Sequence, residues 1–223
     1  MAITINTVYQ RVLALANKEQ RGYITPQEFN LFANQAQLEI VEQYFYDIAQ
    51  FSRLHENDTD YSDIVNLIES KMNLLEVASG DMISGQSMPG DLLRLGKVIS
   101  AGYECQRVTL AELSLMQRSS LCYPGSSNPV YYQQGNNIFH ESGHINHTYS
   151  YIRKPDPVSW GYVVINETAM HDPNATVDFE LHHMEETELV YRILTLSGVA
   201  IKRTELAQFG AGLLQQKTQQ EKS

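Results

Sequence analysis

The sequence predicts an α+β protein, a helical bundle carrying an inserted antiparallel β-sheet or small barrel. Apolar residues recur every three or four positions up to about residue 75, alternate between 92 and 181, and return to helical spacing after 182. A Gly/Ser-rich stretch, SGDMISGQSMPGD at 79–91, separates the first two regimes and reads as a linker. Apolar residues make up 43% of the chain and charged ones 19%, enough to bury a core and too apolar for a disordered chain. The expected organisation is a bundle from 1–78 and 182–223, the linker at 79–91 and a β region at 92–181.

Three helices come first. Val8, Tyr9, Val12, Leu13 and Ala16 define an apolar stripe that stops near Lys18, before Gly22. The second start is explicit: Thr25 is placed as N-cap, Pro26 at the first helical position, and Glu28 completes a T-x-x-E capping box. Ile24 and Phe29 are spaced to staple it. Phe29, Phe32, Ala36, Ile40, Tyr44, Ile48 and Phe51 then follow, a helix of roughly 40 Å at about 1.5 Å per residue. The third begins near Asp60 and carries Tyr61, Ile64, Val65, Ile68, Met72 and Leu75 on one face. Each stripe is narrow, so each helix needs neighbours.

Strands are expected at Leu92–Ser100 and Tyr103–Val108, folded around Ala101-Gly102. Thr109 and Glu112 repeat the capping box before a short helix to Met116. Val130–Gln133, Asn137–His140 and Ile145–Arg153 follow, with turns at Gly135-Asn136 and Ser142-Gly143. Trp160–Ile165 and Thr176–Leu181 complete the set. The spacings look too short for a parallel crossover, so the expected pairing is antiparallel throughout.

Helix resumes with Glu185, Glu186 and Glu188 in a first turn, where the helix dipole favours acids. Leu189, Val190, Ile193, Leu194 and Ile201 form its apolar side, with Gly198 as an expected break. A last helix is expected from Thr204, followed by the polar end QQKTQQEKS.

Charge narrows the partners. The net charge is −10, with eleven acids between Glu39 and Asp91 against Arg53 and Lys71. Six more acids lie between Asp172 and Glu188 with no Lys or Arg. A protein that grips DNA phosphates needs the opposite balance, so direct nucleic-acid binding is not expected. No apolar run approaches the roughly 20 residues that span a bilayer, and no secretory leader is expected at MAITINTVYQR. Cys105 and Cys122 form neither a CxxC pair nor a disulfide framework and read as reduced thiols.

Catalytic and metal motifs are weak. Asn17–Glu28 has Gly22, Ile24 and Glu28 where a calcium loop wants them, but Arg21 stands where an oxygen ligand belongs. Asp58–Glu69 places Asp58, Asp60, Ser62 and Glu69 suitably, yet has Asp63 at the sharp turn. Both sets are also what helix caps and first turns require. His140, His144 and His147 are close in sequence, and His140 and His147 could face each other across a hairpin, but Glu141 alternates to the other face. They read as surface histidines. The adjacent His182 and His183 cannot address one ion and read as a helix entrance. Of Tyr44, Phe45 and Tyr46, at most two share a face, and the core claims Tyr44. No G-x-S-x-G, Walker A, G-x-G-x-x-G or H-E-x-x-H occurs, and no carboxylate pair is singled out for a hydrolase. The chain reads as non-enzymatic.

Four strings carry a resemblance: NKEQRGYITPQEFNLFANQAQLEIVEQYF (Asn17–Phe45), RLGKVISAGYECQRVTLAEL (Arg94–Leu113), SYIRKPDPVSWGYVV (Ser150–Val164) and VDFELHHMEETELVYRILTLSGVAIKRTEL (Val177–Leu206). Together, in order and over nearly the whole chain, they resemble the head-to-tail connectors of tailed bacteriophages. These are the adaptor or ring proteins of crAss-like and related short-tailed phages, comparable to tail tubular protein A. The departures are local: His182-His183 at the helix entrance, and Gly210 and Gly212, which look loosening in the last helix.

The resemblance implies a virion structural protein of the neck, made in the host cytoplasm, without cofactor or metal. It implies a ring, usually of twelve copies, docked beneath the portal protein and reaching tail or nozzle proteins, with DNA passing through unbound. A C-terminal segment often docks into the portal, which nominates Leu206, Phe209, Leu213 and Leu214 here. The neighbouring reading is a tail tube, stopper or nozzle ring further from the portal. A calcium-regulated helical binding protein, using Asn17/Glu28 or Asp58/Glu69, stands apart as a different class.

Overall fold

The computed structural model describes residues 3–18, 24–51, 59–78, 83–141, 147–200, 208, 210–212 and 214–216. It is an α+β protein whose contacts divide it into residues 1–74 with 155–223, and residues 75–154. This division falls elsewhere than the 92–181 boundaries expected from periodicity. Residues 155–181 alternate like the sheet but pack with the helices.

The helical unit holds Ile5–Lys18 (α1), Pro26–Phe51 (α2), Thr59–Met72 (α3) and Glu186–Ala200 (α5). It also holds a hairpin of Tyr162–Ile165 (β8) and Thr168–His171 (β9). α2 packs against α3 and α5, and α1 against α5. Val8, Val12, Phe29, Ile40, Leu189 and Ile193 are buried in its core. The Thr25 box forms as the sequence predicts: Thr25 N and Oγ1 donate to Glu28 Oε2 at 3.0 and 2.8 Å, and Glu28 N donates back to Oγ1. These bonds hold the Glu28 carboxyl below its usual range.

α1 is capped from far along the chain. Ile5 N donates to Asp178 Oδ1 at 2.9 Å, and Ile3 bridges Phe179. Thr176–Leu181 is consequently not a strand. Its amides serve several partners: Val177 N goes to Ser159 O, Phe179 N to Ile3 O and Glu180 N to the Gln37 side chain. β9, which the sequence reading did not anticipate, takes the place beside β8. α5 also runs through Gly198 unbroken, because Gly198 is buried in the bundle where no cap is needed.

The sheet unit contains Glu76–Ala78 (β1), Leu92–Ser100 (β2), Tyr103–Glu104 (β3), Gln106–Arg107 (β4), Leu110–Met116 (α4), Val130–Gln134 (β5), Asn137–Glu141 (β6) and Thr148–Arg153 (β7). One sheet runs β1-β7-β2-β3 and another β4-β5-β6, and neither closes into a barrel among the described residues. Pairing is not antiparallel throughout: β4 and β5 are parallel. Residues 108–129, with α4 inside them, supply the dozen or more residues such a crossover needs. Thr109 caps α4 with its box intact. β1 escaped notice because its three residues directly follow the turn that ends α3. Of the residues read as a linker, 83–91 belong to this unit, with Gly85 N donating to Ile138 O and Ile138 N donating to Gln86 O along the edge of β6.

The Gly135-Asn136 turn has positive φ at its first residue only, as type II′ requires. Asn166 and Glu167, joining β8 to β9, both have positive φ (50° and 64°), a type I′ arrangement. Glutamate disfavours that region by about 1 kcal/mol or more relative to glycine. Glu167→Gly is therefore expected to stabilise the protein by about 1 kcal/mol in thermal or urea unfolding. An unchanged or lower midpoint would refute the strain at this turn.

Candidate interaction site: the hairpin arm

The β8–β9 hairpin is held at its root by a ladder of side-chain amides on α2. Asn30, Asn34 and Gln37, one or two turns apart, face the extended segment 156–160 (Asp156 to Trp160). Trp160 N donates to Asn30 Oδ1 at 2.8 Å, and Asn30 Nδ2 donates to Trp160 O. Val158 N donates to Asn34 Oδ1 and Asn34 Nδ2 to Val158 O, both at 2.9 Å. Gln37 Nε2 reaches Asp156 O at 3.0 Å, and Glu180 N reaches Gln37 Oε1 at 3.2 Å. Three helical amides thus satisfy every second residue of a strand-like segment, as a neighbouring strand would. The polar positions 30, 34 and 37 beside the apolar stripe were the available signal, and the sequence reading passed over them.

Aromatic rings fix the next turn of the chain. Trp160 lies 4.1 Å from Tyr9 between ring centroids and also stacks on Tyr162 and His171, while Trp160 Nε1 donates to Asn6 Oδ1. The single Thr176 hydroxyl proton goes to Asp172 O at 2.7 Å. Thr176 Oγ1 therefore accepts from Gly161 N, and at 3.0 Å it accepts from the Nε2–H tautomer of the His171 ring. Gly161 passes so close to Ala175 that a Cβ there would come within 2.6 Å of the Ala175 carbonyl carbon. The crossing demands glycine for space.

Beyond this root the arm is apolar and uncovered. Val163, Val164, Ile165 and Met170 are 50, 62, 50 and 54% exposed. Val163 and Met170 are cross-strand partners, so they form one patch on the face opposite Tyr162 and His171. An isolated two-stranded hairpin is marginal in water. This one stands because its root is clamped, and it presents apolar surface of the kind that marks an interaction site.

The acids that open α5 are largely committed to ion pairs. Glu185 lies in the 3-10 turn His183–Glu185, not in the helix, and pairs with Lys71 of α3 at 2.6 Å. Glu186 pairs with Arg11 of α1 at 2.9 Å. Arg192 holds Glu188 at 2.6 Å and Glu39 of α2 at 3.5 Å. Two of the six acids between Asp172 and Glu188, Glu185 and Glu186, therefore tie the entrance of α5 to α3 and α1, and Arg192 ties α5 to α2 through Glu39.

His182 caps the 3-10 turn, its Nδ1 accepting from Met184 N at 3.4 Å, so the pair does sit at a helix entrance. Burial first, then His183 and Lys71, holds His182 below the usual 6.5, with Glu185 opposing. The unfolded chain therefore binds this proton more readily. The stability contributed by neutral His182 is full above about pH 6.5 and is lost as pH falls through its lower folded value. His182→Asn keeps a capping acceptor without the titration, and is expected to flatten the pH dependence of the urea midpoint between pH 5 and 7. An unchanged dependence would assign it to other groups.

His140 and His147 are not surface residues. Both are buried, with ring centroids 3.3 Å apart. His140 shares an inward face with Ile138, and His147 shares one with Tyr149 and Tyr151. His144 lies outside the described residues. Cys105 is buried beside Glu104, and burial followed by that charge pushes its thiol up to about 11, so it stays protonated; Cys122 is exposed.

Among the described residues no three metal-capable side chains converge. Of the calcium candidates, Glu28 is engaged by its capping box, and Asp58 lies outside the described residues. Leu206, Phe209 and Leu213 of the nominated docking set also lie outside them, whereas Leu214 is helical and half-buried. Gly210 is buried, and a Cβ added there would come within 3.1 Å of Thr195 N and 3.2 Å of Tyr191 O, so the glycine lets its backbone approach α5.

No protein-family model matches the chain, and no curated protein matches it.

Proposed function

We propose that this protein is a non-enzymatic structural component of a phage virion, a head-to-tail adaptor that forms a ring, usually of twelve copies, beneath the portal and extends the DNA channel. The observation that carries the reading is the β8–β9 arm, held at its root by the amides of α2 and exposing apolar surface of the kind that marks an interaction site. Charge supports it as well. The helical unit carries twenty acidic against ten basic residues, and the sheet unit six against six. A conduit wall should let DNA slide without gripping its phosphates, and an acidic helical unit suits that task. The alternative within the class is a tube, stopper or nozzle ring lower in the tail.

The test is the copy number and position of the chain in purified virions, by cryo-EM reconstruction about the tail axis. A closed ring of about twelve copies against the portal is the expected result. A ring lower in the tail would establish the alternative. Absence from particles would overturn both readings and return attention to calcium binding or catalysis.

A further inference from the structure

We infer that the β8–β9 arm of one copy docks on the α4 segment of a second copy, a head-to-tail contact that deepens, and rests on, the ring reading above. On one face of the arm Val163, Ile165 and Met170 need a cover, while Val164 lies on the other face. The α4 segment leaves further apolar side chains uncovered. Leu113 packs inward with Val108 and Val130, while Leu110, Leu115, Leu121 and Tyr123 stay exposed, Leu121 at 92%.

Charge decides which surfaces can meet. Within Tyr162–His171 the one charged side chain is Glu167, at the tip, so an arm meeting its own image tip to tip brings like charge against like charge. The stretch 106–123 has Arg107 and Arg118, both exposed, against Glu112, whose carboxylate is held by its own cap. Glu167 occupies a left-handed turn position where glycine would be less strained, and it places a carboxylate at the end of the arm. An acidic, apolar arm matched to a basic, apolar segment on a different part of the same chain is a heterologous contact. Repeated, such contacts close into rings or run into filaments. The arm from Tyr162 to His171 is smaller than the roughly 20–30 residues a side of a standard interface, so a single contact is weak and closure strengthens it.

The full-length chain would be followed by sedimentation velocity over a concentration series at low and moderate salt. Wild type is expected to associate, more weakly as salt rises. An arm variant (Val163→Thr, Ile165→Thr, Met170→Thr) and a segment variant (Leu115→Ser, Arg118→Glu) should each stay monomeric with wild-type circular dichroism. Mixed, they should form a dimer and nothing larger, because each supplies the surface the other lacks. Should the arm variant lose its fold, Glu167→Lys replaces it and is expected to weaken association at least about tenfold. A monomeric wild type at every concentration, variants that assemble normally, or a mixture that stays monomeric would each overturn the contact. Association restored only by an added tail or portal protein would assign the arm to that partner. The position of the chain in virions is measured separately, so failure here leaves the adaptor reading to its own test.

Discussion

Lys71→Met is expected to lower the free energy of unfolding by about 3–5 kcal/mol, the scale for stranding one member of a buried ion pair. Lys71 and Glu185 are 10 and 2% exposed at their side chains, and their charged atoms are 2.6 Å apart. Lys71 also lies 5.7 Å above the Tyr44 ring, so α3, α2 and the entrance to α5 meet at one ammonium group. Without it, a carboxylate sealed between helices keeps its desolvation cost and loses the cation that offsets it. The double variant Lys71→Met/Glu185→Leu should recover most of the loss, since replacing both partners by apolar groups removes the stranded charge. Urea unfolding of the two singles and the double forms the cycle. Additive losses would mean that the two side chains do not depend on each other.

Asn34→Ala is expected to cost about 2–4 kcal/mol, because it orphans both Val158 N–H and Val158 C=O. The exposed neighbour Leu31, replaced by alanine, should change stability by no more than about 0.5 kcal/mol. The consequence reaches the arm: with the ladder broken at its middle rung, Trp160 and the hairpin root lose their fixed distance from α2. Limited proteolysis of Asn34→Ala should cut faster between 155 and 171 than wild type does. A stability loss without that change would separate the ladder from the positioning of the arm.

The local signals in this chain were strong, and they became local structure. Thr25 with Glu28 and Thr109 with Glu112 are capping boxes readable from three-residue spacing, and both form, because donor and acceptor lie on the same turn. The apolar stripe through Phe29, Ala36, Ile40 and Tyr44 set the buried face of α2 in the same way. Alternation at 176–181 misled, since period two reports only that one side is buried. It cannot tell a ladder from a segment whose amides go to Ser159, Ile3 and Gln37 in turn.

The α+β class, the helix starts and the inward residues of most strands follow from the sequence alone, because each depends on neighbours within about one turn or one strand. Tertiary structure alone decided the Asp178 cap on α1, the amide ladder of Asn30, Asn34 and Gln37, the Lys71–Glu185 pair and the burial of His140 against His147. In the first three, a polar group is satisfied by a partner more than a hundred residues away, and short-range spacing carries no record of that partner. The exposed arm belongs with them: Val163, Val164 and Ile165 look like core residues in a string of letters, and only the fold leaves them facing outward.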